Sequence, residues 1–410
     1  MKNIWLVFML GCGLAFPSFA ENAPRFTPIE IYATDDFSDL TEFGNAIATK
    51  NIIYLDELTH GEHEVFALKA RLVKYLHQHH GFSALIIESG LFDVQELVKQ
   101  ASQSAEPLSA SLARGNIFFA YAADPAFRDL LDYIDSKRNS EQPLHFAGFD
   151  GRLSGAFSVQ RFVKQLVQHV AAMPEAELLM VDWAAYATLL QNTLERRFTS
   201  LTQQEVEQHI AKTYLIIDAL QAADKVPAMD SASYYTRLLE GVLRLFEVQY
   251  QKRRFDEHDL VMANNVHWLL EHVYPQQKVI IWGHNVHVNR QGYLALRANN
   301  ITTALDKAYG KQSYIVNFAG LSGAYRDYVD GKVKALPTLN AEHLAYHMQN
   351  EFRASPQAIF LQPQDFTAPK YADLVLHGHN YEPAFQIRVK RWRNHFDSIF
   401  LINTLSPSQP

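Results

Sequence analysis

Glu57 and His60 lie three residues apart in the segment Asp56-Glu57-Leu58-Thr59-His60-Gly61. A histidine within reach of a carboxylate is a simple general base. Either Glu57 or Glu88 could fix the tautomer, and the other ring nitrogen takes a proton from water or an alcohol. Thr59 is expected to cap the helix that follows, and just ahead of a helix N-terminus the dipole favours the neutral imidazole. Glu88, in Glu88-Ser89-Gly90, follows four apolar residues. A carboxylate buried that deeply needs a partner, either His60 or a structural arginine. Asp150 stands in Phe149-Asp150-Gly151-Arg152, and His284 in Gly283-His284-Asn285-Val286-His287, where His287 is either structural or a support for its neighbour. Each segment follows a short apolar run. Singly, acidic residues at such places serve as helix caps or turn formers. Four coinciding ends indicate one cleft, because parallel α/β sheets bind ligands at the carboxyl ends of their strands.

Other chemistries lack their residues. The nearest approach to a nucleophile elbow is Gly320-Leu321-Ser322-Gly323-Ala324, which does not fit G-x-S-x-G. His63-Glu64 is followed by Val, Phe and Ala rather than by the second histidine of a zinc-protease helix, and there is no phosphate-binding glycine loop. His77, His79 and His80 read as a helix end, where cations suit the dipole. His377 and His379 read as a weak metal pair in a loop.

The elements that must position these residues alternate. Asn51–Leu55, Ala84–Ile87, Leu144–Gly148, Lys278–Trp282 and Ser313–Phe318 read as strands, with Ser398–Ile402 and Ala358–Leu361 as later ones. Val65, Leu68, Leu72 and Leu76 recur at helical spacing, and Gly81 ends that helix. Leu91–Lys99 reads as a helix, and Asp124-Pro125 opens another through Lys137. The fold class is therefore α/β, a mainly parallel sheet flanked by helices. Residues 156–275 or so read as helix after helix, a large helical insertion expected to cover the carboxyl ends of the strands.

The first twenty residues read as a secretory signal peptide: Lys2, an apolar run over 4–16, then Ser18-Phe19-Ala20 before Glu21. Cleavage near Ala20 leaves residues 21–410 as one domain in the periplasm or outside the cell. The single cysteine, Cys12, leaves with the leader, so neither a disulfide nor a thiol nucleophile is expected. The formal net charge of −7 and the lack of a basic run argue against nucleic acid. No later segment is apolar enough to span a membrane.

Glu57-Leu58-Thr59-His60-Gly61, Phe82–Glu88, Phe146–Asp150, Asp259–Leu270 and Ile281–Val288, in that order, resemble the erythromycin esterase family over about residues 45–405. The resemblance implies hydrolysis of an ester or lactone, in the type members a macrolide lactone, without a serine nucleophile. It implies that His60 activates water, that Glu57 and Glu88 assist, and that His284 lies near the attacked carbonyl. Lys69, Asp150, Asn285, His287 and His258 are the expected substrate-binding residues, with Asn285 or a cation stabilising the oxyanion. Three positions depart from the family pattern: Asp56 replaces a common Gly, Lys69 an active-site Arg, and His258 an Arg usually paired with the acid at Asp259. An ammonium copies a bidentate guanidinium poorly. A metal-independent hydrolase acting on a small-molecule ester or lactone is expected, with no cofactor. Two alternatives remain open: a Zn²⁺ enzyme using His60, His284 and His287 with Glu57 or Glu88, and a binding protein for haem or another apolar ligand.

Overall fold

The computed structural model describes residues 26–409 apart from 35, 105, 113–114, 253–256, 292–298 and 355. The expected leader, with Cys12, lies outside the described residues. The strands are β1 (Thr27–Ile29), β2 (Ile52–Leu55), β3 (Phe82–Gly90), β4 (His145–Asp150), β5 (Lys278–Trp282), β6 (Ser313–Arg326), β7 (Val333–Ala335), β8 (Ala358–Leu361), β9 (Val375–Leu376), β10 (Ile387–Arg388) and β11 (Ser398–Leu405). Among the described residues the main sheet runs in the order β1-β8-β11-β6-β2-β5-β3-β4, with β7 paired to β6. The six strands from β11 to β4 are parallel, whereas β1 and β8 pair antiparallel at one edge. β2 is buried along its whole length, and Ile52 lies between Val279 of β5 and Ser313 of β6. That is why its residues are apolar without alternation: helices cover both faces of a parallel sheet. Each fully buried Ile or Leu there contributes about 1.5–3 kcal/mol over an exposed one.

The first long helix runs His63–His80, and Gly81 closes it in the left-handed conformation at φ 70°. Only glycine adopts that backbone without a Cβ penalty. Asp124 caps the helix Pro125–Lys137 by accepting from the Ala126 N–H. Thr59, by contrast, does not cap a helix. Its Oγ1 accepts from Gly61 N at 3.2 Å, and the helix begins only after Glu62. Thr59 thus stabilises the turn that carries His60. Gly61 is required by close approach: a Cβ there would meet the Arg326 carbonyl oxygen at 1.8 Å.

Between residues 156 and 268 the described residues form helices Ala156–Ala171, Ala176–Leu179, Trp183–Leu194, Gln203–Ala223, Ala232–Gln251 and Glu257–Trp268. The first packs on the helix Leu91–Ser104, and the last on β4. No helix among the described residues is long and apolar enough to cross a membrane.

Candidate active site

The strand order decides which strand ends meet. β5 lies between β2 and β3, so the residues after β2, after β5 and at the end of β3 are neighbours. β3 is irregular between Ile87 and Gly90, where Glu88 sits. β4 lies one strand further out.

Glu57 is the anchor of the cluster. Its Oε1 lies 2.7 Å from His60 Nδ1 and accepts from the Tyr121 hydroxyl at 3.0 Å. Its Oε2 accepts from Lys69 Nζ at 2.7 Å and from Trp282 Nε1 at 2.9 Å. Burial alone would raise this carboxyl, but Lys69 and His60 outweigh it and hold it below the usual range. Burial pulls the Lys69 ammonium down, against the pull of Glu57. Four donors converge on Glu57, so the carboxylate is the form its surroundings fix, and a carboxylate at 2.7 Å keeps Lys69 charged. Because a carboxylate only accepts, His60 Nδ1 carries the hydrogen and Nε2 is the basic nitrogen.

His60 Nε2 stands 3.9 Å from Glu88 Oε1, beyond direct hydrogen-bond reach. Glu88 Oε2 accepts from the His284 backbone N–H at 2.6 Å, and Oε1 lies 3.3 Å from His287 Nε2. His287 Nδ1 is 3.0 Å from Asp259 Oδ1. His287 therefore bridges two carboxylates. Burial disfavours its cation, yet Glu88 and Asp259 prevail and push it up to about 9. Glu88 in turn is held well below the usual carboxylate range, against burial, chiefly by His287 and then by His60. His284 is pulled down by burial and then by His60 and His379, which keeps it neutral. Its ring centroid lies 4.5 Å from that of His60. The rings of Phe118 and Tyr328 each stand 4.8 Å from His60, edge-on. The rings closing over His60 thus come from segments outside 156–275.

Several expected residues take other places. Lys69 was expected to bind substrate, but it is fully enclosed, with Nζ 4.2 Å above the Trp282 ring. Its work is to hold Glu57. Asp150 is tied to Arg152 Nε at 2.8 Å and His258 Nε2 at 2.8 Å. Both partners, Arg152 first, hold its carboxyl well below the usual range despite burial. Asp150 and His258 form a buried pair on β4 and the helix Glu257–Trp268, and neither has a hydrogen bond or ion pair to His60. Asn285 is buried directly after His284, and its backbone N–H donates to the Glu57 carbonyl at 3.0 Å, which ties the two strand-end loops together. Asp56, with Asn317 Nδ2 donating to it at 2.9 Å, is buried beside β6 and pushed up to about 7 by that burial.

Other residues enter that sequence reasoning did not select. Tyr121 and Trp282 complete the cage around Glu57. His379, read as one of a metal pair, reaches His284: its Nδ1 lies 3.3 Å from His284 Nε2. The only signal in the sequence was an uncommon histidine-rich loop, His377-Gly378-His379. As for Zn²⁺, the expected donors do not converge on it. His60 Nδ1 and both nitrogens of His287 are turned to carboxylates, and His284 Nε2 meets the Leu58 carbonyl at 3.0 Å. Among the described residues, no group of three or more His, Cys, Asp or Glu is arranged to hold a metal ion.

Three comparisons bear on this geometry. The family model for Erythromycin esterase matches residues 77–395. That span includes Glu88, Asp150, His284, His287 and His379 but begins after the loop of Glu57 and His60. A protein of Bacillus subtilis (strain 168) named "Putative hydrolase YbfO" is 26% identical over 325 residues, 72% of this chain and 70% of that protein. Among solved structures, a succinoglycan biosynthesis protein superposes with a TM-score of 0.72 at 15% identity, over 94% of this chain and 95% of that one. A Bacillus cereus protein gives 0.70 at 21% identity, over 94% and 96%. A variant of erythromycin esterase EreC in its open conformation gives 0.68 at 16% identity, over 94% and 98%. At these identities the solved structures speak for the fold.

Proposed function

We propose that this chain, which belongs to the erythromycin esterase family, is a hydrolase that cleaves a carboxylic ester or lactone with water activated by His60. One observation carries the reading. His60 Nδ1 is bound by Glu57, while Nε2 faces Glu88 Oε1 across 3.9 Å. A gap of that size suits a bridging water. Such a water donates one hydrogen to each acceptor and keeps a lone pair for attack. As it attacks the carbonyl carbon, its proton passes to His60 Nε2. His60 then returns that proton to the departing alkoxide, which leaves as the alcohol. Glu57 stays ionised throughout and stabilises the imidazolium, as the carboxylate of a catalytic triad does. A base so placed contributes roughly two to four orders of magnitude in rate, and the remainder comes from positioning and charge stabilisation.

Phe118 and Tyr328 put aromatic edges around His60, which favours an ester with apolar surface next to the scissile bond. With Lys69 committed to Glu57, macrolides are one candidate class among several. The leader pattern over residues 1–20 supports action in the periplasm or outside the cell.

The test is a hydrolysis screen over macrolides, simple lactones and aryl esters, followed by His60→Ala. The variant should fold, by circular dichroism, and lose turnover. A folded His60→Ala protein that works at the wild-type rate would sink the mechanism.

A further inference from the structure

Leu58 lies in the Glu57–Gly61 loop, and its carbonyl oxygen has two partners: the Asn380 N–H at 3.0 Å and His284 Nε2 at 3.0 Å. A carbonyl only accepts, so His284 Nε2 carries its hydrogen, and Nδ1 is the ring's proton-accepting atom. His379 Nδ1, 3.3 Å from the same Nε2, then meets a nitrogen that already bears hydrogen. The contact is favourable only if His379 Nδ1 is bare and accepts. The charged and titratable groups around His284 are His60, Glu88, His287 and His379.

The chain makes an effort to hold His379 there. Asn380 and Tyr381 adopt left-handed φ of 50° and 56° in succession, and for a tyrosine that backbone is strained. The strain is held by the Asn380 N–H on Leu58, by the Tyr381 hydroxyl donating to Glu62 Oε1 at 2.5 Å, and by the Gly320 N–H donating to that hydroxyl at 3.1 Å. One of these three anchors lies in the loop that bears Glu57 and His60, and a second, Glu62, directly follows it.

We propose that His379 is a positioning residue: it shares the Nε2–H of His284 with the Leu58 carbonyl and fixes that tautomer, which leaves His284 Nδ1 bare to take up the proton released by hydrolysis. This rests on the hydrolytic reading. Ester and water yield an alcohol and a carboxylic acid, and the acid ionises to a carboxylate and a proton. The acid O–H breaks, an N–H forms at His284 Nδ1, and the proton then passes to solvent. A group between two carboxylates, as His287 is, cannot take this role, because it is already charged. His284 is kept neutral by burial and can receive the proton only briefly, which is what a carrier requires. One further consequence follows. A neutral His379 that accepts at Nδ1 bears its hydrogen on Nε2, which lies 3.2 Å from Asn380 Nδ2. The Asn380 carboxamide must therefore be turned by 180° to present Oδ1, which exchanges its two ends without moving the backbone.

Two measurements decide. In wild-type protein labelled with ¹⁵N-histidine, at neutral pH and without substrate, ring nitrogen shifts should show hydrogen on Nε2 of both His284 and His379. Hydrogen on His379 Nδ1 would overturn the proposal, whatever the enzyme hydrolyses. In turnover of a hydrolysed ester, His379→Phe should lower kcat at least ~tenfold with KM unchanged. His379→Gln, whose carboxamide oxygen can accept the same hydrogen, should recover most of it. If His60→Ala is inactive while His379→Phe matches wild type, the hydrolytic reading stands and this proposal fails. An active His60→Ala protein would instead defeat the reading beneath it.

Discussion

Lys69 Nζ and Glu57 Oε2 face each other at 2.7 Å with neither side chain exposed to solvent. An ion pair closed off so completely is costly to break from one side. Lys69→Met should remove the ammonium, keep most of the volume, and leave Glu57 as an uncompensated buried charge. The expected loss of stability is about 3–5 kcal/mol, measured by urea unfolding. A variant as stable as wild type would show that Glu57 does not need the ammonium. Lys69→Arg should not substitute freely, since overpacking a closed site costs roughly 1–3 kcal/mol.

Glu62 supplies a pH test. Burial, reinforced by Glu57 and opposed by the Tyr381 hydrogen bond, pushes its carboxyl up to about 8. Between the ordinary carboxylate range and that value, the folded protein keeps a proton that the unfolded chain has given up. Stability therefore falls as pH rises through the window, by at most about 1.4 kcal/mol per pH unit for this group. Glu62→Gln should be more stable than wild type near pH 8, and the difference should shrink towards pH 4.5. Parallel curves for the two proteins across that window would contradict the assignment.

His287 gives a second dependence, confined to higher pH. Its folded-state value of about 9 exceeds the unfolded one, so the folded state binds the proton more tightly. The stabilisation is fully present below about pH 6.5, and it is lost as pH rises through 9. Its size is up to about 3 kcal/mol at that conversion. Chemical denaturation of wild type and His287→Gln at pH 6, 7.5 and 9.5 should show the gap between them closing with pH. A constant gap would mean that His287 is neutral in the fold.

Tyr121 tests the cage around Glu57. Its hydroxyl donates to Glu57 Oε1 at 3.0 Å, the same oxygen that meets His60. Tyr121→Phe deletes one hydrogen bond to a charged acceptor, about 1.5–3 kcal/mol. If the carboxylate must be held for His60 to work, kcat should drop by roughly ten- to hundredfold, since each 1.4 kcal/mol is a factor of ten. Unchanged kcat would mean that the remaining donors suffice.

Much of this was legible in the residues. β5 and β8 have the limits that the apolar runs gave them, and Gly81 and Asp124 end and begin helices as their types require. The His60–Glu57 contact was legible too, because three residues in one tight loop leave few alternatives. Thr59 misled, since a hydroxyl before a helix can serve the turn as well as the cap.

Local sequence thus determined the strands, the helices and the loop that joins Glu57 to His60, because periodicity and turn chemistry act over a few residues. Tertiary structure alone decided the rest. Placing β5 between β2 and β3 brought His284 to Glu88 across 196 residues and Trp282 to Glu57 across 225. It left Asp150 on the outer strand with Arg152 and His258, and it turned Lys69 from a candidate for substrate into the counter-ion of Glu57. The fold also brought His379 to His284 across 95 residues. No local pattern encodes such meetings. They follow from which strands pair and from burial, which allows a charge or a ring nitrogen inside the sheet only where a partner from a distant segment arrives to meet it.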